Sequence, residues 1–199
     1  MARQDRLSSL ISRFGRPITI LRNAGNISDK CFLTENEPTS EYRRDGYFSW
    51  DSQIIDGDIF QDTLTEEYYI VVNCNYFGEN GIKDGKKTLV YRSNIFFTLY
   101  SLKEDIETPY GGKAYNWMVK LNDYGNISYY KKGDELTPVG EMGFDQMLII
   151  FSGRNLQGYV PQTGDRLVLQ DQRKLQIDGI DPYLYSGCYD VACSSDQRL

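Results

Sequence analysis

The 199-residue chain contains no histidine. Without an imidazole, no Ser-His-Asp or Cys-His pair can form, no zinc site can use histidine ligands, and no histidine switch can operate near neutral pH. Cysteine is scarce: Cys31, Cys74, Cys188 and Cys193 do not make a disulfide framework for a chain of this length. Long apolar runs are missing too. No segment approaches the ~18 apolar residues that span a bilayer, so no membrane partner is expected. The first 21 residues are studded with arginine and resemble no signal peptide, which points to synthesis in the cytoplasm with reduced thiols. Nor is there an excess of positive charge. Twenty-two basic side chains against 28 acidic ones give −6, which argues against the whole surface being a nucleic-acid platform.

That total conceals an asymmetry. Residues 1–22 carry Arg3, Arg6, Arg13, Arg16 and Arg22 against Asp5, a charge of +4, which leaves −10 for the rest of the chain. Forty per cent hydrophobic and 25% charged residues are ordinary for a globular protein, and a domain of this length hides roughly 70% of its unfolded surface. Tyrosine supplies 16 of the aromatic rings and favours strands and interfaces.

Leu7, Leu10, Ile11 and Phe14 recur at helical spacing, so a short N-terminal helix is expected, stopped by Gly15 and Pro17. Its arginines lie mainly off the apolar stripe, as a solvated face or as a basic contact for an acidic partner. Beyond Pro17 the pattern becomes that of strands. Ile18–Arg22, Tyr68–Cys74, Thr88–Leu102, Met147–Phe151, Arg166–Leu169, Lys174–Ile180 and Cys188–Cys193 are β-branched, aromatic or alternating. Ala114–Leu121 and Ile127–Lys131 read as a hairpin turning at Asn122–Gly125. The polar stretch 23–52 reads as a long loop. The fold class is therefore mainly β: a small β-barrel or sandwich with a short N-terminal α-helix and an inserted β-hairpin segment. We expect a single domain over 1–199, with the loop at 23–52 and the insertion at 103–144. Gly57-Asp58-Ile59-Phe60 and Gly164-Asp165-Arg166-Leu167 form a weak internal echo, each a Gly-Asp turn opening a strand that returns through a polar turn.

Chemical motifs are few. Asp56-Gly57-Asp58 and Asp178-Gly179-Ile180-Asp181 lack the further oxygens of a calcium loop and read as turn aspartates capping backbone amides. Cys188 and Cys193, five apart on one strand, would face opposite ways. Gly111-Gly112-Lys113 lacks phosphate-loop spacing. Tyr68-Tyr69, Tyr129-Tyr130 and the Tyr183/Tyr185 pair suit packing better than stacking on sugars or bases. No catalytic residue, cofactor or metal ligand is expected. The candidate partner-contact residues are Arg6, Arg13, Arg16, Tyr47, Phe48 and Trp50.

Three stretches resemble the head-to-tail connector proteins of tailed bacteriophages, the head-completion, head-closure or stopper proteins. They are Leu10–Ile20, with its helix, glycine and strand; Gly57–Val72, a turn-and-return hairpin; and Gly164–Tyr183, similar to the closing portion of those proteins. Such connectors are commonly shorter, and 103–144 is where this chain departs from them. The resemblance implies a non-enzymatic virion protein of the neck. Copies would form a homo-oligomeric ring against a portal or adaptor protein, continue the DNA channel, and dock a tail protein. An acidic body would let double-stranded DNA pass without binding it. A tail-completion or terminator protein, or a fibre adaptor, is the alternative within the same class. A carbohydrate-binding β module would instead require coplanar exposed tyrosines, and a carboxylate hydrolase would require an acid with a raised pKa in a deep pocket.

Overall fold

In the computed structural model, the residues described are 4–34, 42–78, 84–107, 113–130 and 146–198. Alternation fixes the first strands. In β1 (Arg16–Leu21), Ile18 and Ile20 are buried while their neighbours lie nearer solvent, the period-two pattern of a strand with one face on a core. β1 pairs antiparallel with β2 (Ile27–Leu33), β2 with β3 (Arg43–Phe48), and β3 with β6 (Gly85–Arg92). β6 then pairs with β5 (Tyr68–Phe77), β5 with β4 (Ile59–Asp62), and β4 back with β1. The barrel is closed, so no strand edge is left open. Its interior holds Ile18, Ile20, Cys31, Phe48, Phe60, Tyr69, Val71 and Val90. Phe60 stacks on Tyr69 at 5.2 Å and meets Phe48 edge-on at 5.9 Å.

A second closed barrel follows. β7 (Ile95–Glu107), β8 (Lys113–Tyr130), β9 (Gln146–Ser152), β12 (Cys188–Ser195), β11 (Lys174–Asp181) and β10 (Arg166–Leu169) are neighbours in that order, and β10 pairs back with β7. Phe97, Leu99, Ile149, Phe151, Leu167 and Ile177 fill it. Of barrel or sandwich, the chain adopts the barrel, and builds it twice. Numbered from their own first strands, the two barrels have one topology, 1-2-3-6-5-4. By compactness the chain divides into two units. One comprises 1–93 with 152–155 and 185–188; the other comprises 94–151, 156–184 and 189–199. The strand expected over Thr88–Leu102, whose odd-numbered apolar alternation is broken by the polar Ser93, is instead two: β6 ends at Arg92 in the first barrel and β7 begins at Ile95 in the second.

The Gly-Asp echo is the same turn made twice. In the first barrel Gly57 N donates to Val71 O (2.7 Å), Val71 N to Asp58 O (2.9 Å), and Asp58 N to Ile55 O (3.2 Å). Ile55 N donates to Asp58 Oδ2 (2.9 Å). In the second, Gly164 N donates to Ile177 O (2.8 Å), Ile177 N to Asp165 O (2.9 Å), and Asp165 N to Gln162 O (3.1 Å). Gln162 N donates to Asp165 Oδ2 (2.8 Å). Both glycines have positive φ, 78° and 93°. Both aspartates are buried, where the side chain satisfies an amide that the turn would otherwise orphan.

Gly57 is constrained twice over, since a Cβ there would lie 2.3 Å from Gly187 O. Gly158 also has positive φ, but nothing lies within 4 Å of its Cβ position. Gly158→Ala should therefore cost only the left-handed backbone penalty, about 1–2 kcal/mol. Gly57→Ala adds a clash with backbone and should cost clearly more, giving the lower denaturation midpoint of the two. Equal midpoints would show that the close approach to Gly187 is not needed.

Three local expectations change. The stretch 23–52 contains β2 and β3, whose pairing partners in β1 and β6 override a polar composition. Residues 35–41 lie outside the described part. The hairpin expected at 114–131 is instead one 18-residue strand, β8. Asn122–Gly125 pair with Thr98–Ile95 of β7, and Gly125 is compact enough to sit beside Ile95 and Phe97. Cross-strand pairing thus outweighs local turn chemistry. Strands β7 and β8 extend into the 103–144 segment; its residues 108–112 and 131–144 lie outside the described part. Finally, Gly15 ends α1 (Gln4–Phe14) without a positive φ: Gly15 N donates to Ile11 O (2.8 Å), and a Cβ would meet that oxygen at 2.4 Å.

Candidate interaction surface

Helix α1 divides its apolar stripe between two tasks. Leu7 and Ile11, four residues apart, face the first barrel. Ile11 is buried, and Leu7 reaches the space left by Gly85, where a Cβ would come within 2.7 Å of Leu7 Cδ2. The hydroxyls of Ser8 and Ser49 meet at 2.7 Å, and Lys30 Nζ donates to Ser12 O at 2.6 Å, pinning the helix to β2 and to the end of β3. The other i, i+4 pair, Leu10 and Phe14, points outward, 49% and 67% exposed. The Arg13 guanidinium lies 5.5 Å from the Phe14 ring centre, and Arg6 is exposed. Among the described residues no carboxylate pairs with Arg6 or Arg13. The outer face is an apolar ridge carrying unneutralised positive charge.

The other expected contact residues are placed differently. Arg16 Nη1 donates to Asp62 Oδ2 at 3.0 Å, and that hydrogen bond raises the arginine pKa further. Asp62 has no exposed side-chain surface, so Arg16 is committed to the barrel. Phe48 is wholly buried in the core. Tyr47 is half-buried, edge-on to Phe77 at 6.2 Å and beneath Lys87. Trp50 is exposed, beside the Ser49 that anchors α1. The structure therefore leaves Arg6, Arg13 and Trp50 exposed for a partner, ties Arg16 to Asp62 while 43% of its side chain stays exposed, and buries Phe48 in the core.

A second surface was not singled out by sequence reasoning. At the β11–β12 connection Asp181 Oδ1 accepts the amides of Tyr183 (2.9 Å) and Leu184 (3.1 Å). That turn presents Tyr183, 93% exposed, and Leu184, 53% exposed. Asp181 stands directly across from Asp190 on β12. Burial, then repulsion from Asp181, holds the Asp190 pKa above its ordinary value. Asp178 is exposed on β11. No lysine or arginine among the described residues pairs with these three carboxylates. The Asp-Gly-Ile-Asp motif marked this place as a turn, but not as an apolar tip flanked by acids without a basic partner among the described residues.

The thiols offer no nucleophile. Burial pushes Cys188 and Cys193 up to about 12 and Cys74 to about 11, and raises Cys31 as well. Cys193 lies in the second core, while Cys188 Sγ donates to Val71 O. Cys31, Cys188 and Cys193 are buried and Cys74 is half-buried. A disulfide-exchange reagent at pH 8 should consequently label Cys74 first and the other three only on unfolding; prompt reaction of several thiols in the native protein would contradict this. Among the described residues no cluster of three or more Cys, Asp or Glu side chains has metal-binding geometry. No helix among them is long and apolar enough to cross a membrane.

No family model matches this sequence, and no curated protein matches it. Three solved structures were found by shape, all of MrkH from K. pneumonia. Its complex with c-di-GMP is 11% identical, covering 98% of this chain and 85% of that one, with a TM-score of 0.22. Its apo form is 12% identical, covering 98% and 84%, with a TM-score of 0.21. At those TM-scores the likeness carries no argument about fold or function.

Proposed function

We infer that this chain is a structural protein of a tailed-phage neck, a non-enzymatic subunit of a ring between portal and tail that continues the DNA channel and docks the tail. The observation that carries this reading is where the resembling stretches fall in the fold. Leu10–Ile20 is the helix, its closing glycine and β1. Gly57–Val72 contains β4 and the first half of β5, and Gly164–Tyr183 contains β10 and β11; these are the two hairpins that share one hydrogen-bonded turn. The resemblance thus follows elements that build each barrel, and the exposed ridge of α1 supplies a contact surface at the start of the chain.

The charge distribution supports the same reading. A body of −10 repels phosphate, so DNA would pass through such a ring without being held. The test is to disrupt the gene in a phage that encodes this chain and to label the protein in intact particles. Filled heads and separate tails that fail to join, with label at the neck in wild-type particles, would support the assignment. Label at the distal tail would favour the tail or fibre-adaptor alternative, and absence from particles would overturn both.

A further inference from the structure

The two exposed apolar features have opposite charge surroundings. Leu10 and Phe14 stand on α1 beside Arg6 and Arg13, cations with no carboxylate partner among the described residues. Tyr183 and Leu184 stand at the β11–β12 tip, which the exposed Asp181 and the half-buried Asp190 close as a cross-strand pair, with the exposed Asp178 three residues further back on β11; the three acids have no basic partner among the described residues. An exposed pair of large apolar side chains is ordinary by itself. Two such pairs, one ringed by base and the other by acid on the same chain, are complementary in both hydrophobic and electrostatic terms.

We propose that helix α1 of one copy docks against the β11–β12 tip of a second copy, Leu10 and Phe14 against Tyr183 and Leu184, with Arg6 and Arg13 facing Asp178, Asp181 and Asp190. Different surfaces meet in this contact, so it is heterologous: each copy uses its helix on one neighbour and its tip on the other. Repetition yields a closed ring if the rotation closes and a filament if it does not. The proposal deepens the ring reading above and rests on it only for the expectation of closure. Apolar burial supplies the attraction, and the charges select helix-to-tip over helix-to-helix or tip-to-tip, where like charges would meet. Because Arg6, Arg13, Asp178 and Asp181 are exposed, assembly should weaken as salt rises.

The experiment uses the full chain and two charge-reversed variants. In one, Arg6→Glu and Arg13→Glu make the helix acidic. In the other, Asp178→Lys and Asp190→Lys make the tip basic, while Asp181 is kept because its oxygen holds the turn. Mass is measured by sedimentation across a range of protein and salt concentrations, with tryptophan fluorescence confirming the fold. The wild type should assemble, and each variant alone should require at least tenfold higher concentration to do so. An equimolar mixture should assemble again, with the two variants alternating. Tyr183→Ser, at a position exposed enough not to affect folding, should weaken assembly without changing charge. A wild type that stays monomeric, or folded variants that assemble as it does, or a mixture that stays apart, would each overturn the proposal. Assembly untouched by the variants would leave the ring reading standing on another interface, whereas loss of the ring reading itself would be seen as absence of the protein from particles.

Discussion

Asp196→Ala should destabilise the second barrel about as much as truncating one of its large core side chains, by about 3–5 kcal/mol. Arg166 begins β10 with its side chain 6% exposed, and its Nε donates to Asp196 Oδ2 at 2.7 Å. Arg198 adds a bond to each carboxylate oxygen, Nε to Oδ1 at 2.9 Å and Nη2 to Oδ2 at 3.0 Å. The guanidinium of Arg166 lies 4.0 Å from the Trp117 ring centre and that of Arg198 4.9 Å. Removing the aspartate leaves a buried arginine with only the Arg198 carbonyl and a π-face for company. Replacing both members, as Arg166→Met with Asp196→Leu, should recover much of the loss, because a buried pair is costly to break and cheap to substitute. Denaturant titration of the three proteins, followed by tryptophan emission, checks both statements. A single variant no less stable than the double would refute them.

The same carboxylate gives the fold a pH dependence of known sign. Burial opposes its charged form, but hydrogen bonds from Arg198 and Arg166 outweigh that and hold its pKa well below the ordinary carboxylate range. A folded-state pKa below the unfolded one means that the stabilisation is present above about pH 4, the unfolded value, and is lost as pH falls toward the folded value. Asp196→Asn should therefore flatten the acid limb of the stability curve below about pH 4 while lowering its plateau.

The second large effect is expected in the first barrel. Asp58 has no side-chain exposure, and Arg22 grips it with two bonds, Nε to Oδ1 at 3.0 Å and Nη2 to Oδ2 at 2.6 Å. Arg22 Nη2 also donates to Gln53 O at 2.7 Å, so one side chain ties the end of β1 to the turn before β4. Arg154 Nε lies 3.8 Å from the same carboxylate. Arg22→Met should cost about 2–4 kcal/mol by leaving a buried charge with one distant cation, whereas Asp165 in the equivalent turn has the Gln162 amide and, from a side chain, the Tyr159 hydroxyl at 2.6 Å, and Tyr159→Phe should cost about 1 kcal/mol. Similar losses from the two substitutions would mean that the turns are held alike. Calorimetric melting of each variant decides it.

These ties show why the sequence was readable in some places and opaque in others. The helix, the Gly-Asp turns and most β-branched strands announce themselves through local pattern and were legible, whereas β2 and β3, polar in composition, read as loop. Closure into two barrels was not legible, because β8 continues through a segment with good turn chemistry, and only its pairing with β7 shows why. Lys86 was equally hidden. It is buried, with Nζ donating to Ser52 O at 2.5 Å and Ile54 O at 2.9 Å, and no local pattern distinguishes it from the exposed Lys87 beside it. In the contact region the arginines of α1 and the start of β1 were visible as charge. Which of them is spent inside the fold depends on Asp62, 46 residues from Arg16. The tip at Tyr183 was hidden for a related reason: exposure of a ring is decided by what fails to cover it.

Two barrels of one topology in a single chain also create a hazard during folding. Any strand of one has a counterpart of the same order and direction in the other, and neighbouring look-alike domains can exchange strands before either is complete. The twin turns differ in what their aspartates require. A β4 misplaced into the second barrel would bring a buried Asp58 without Arg22, and a β10 misplaced into the first would bring Arg166 without Asp196. Each error would strand a charge in a low-dielectric interior, so the unlike buried ion pairs beside two like turns make such an exchange costly.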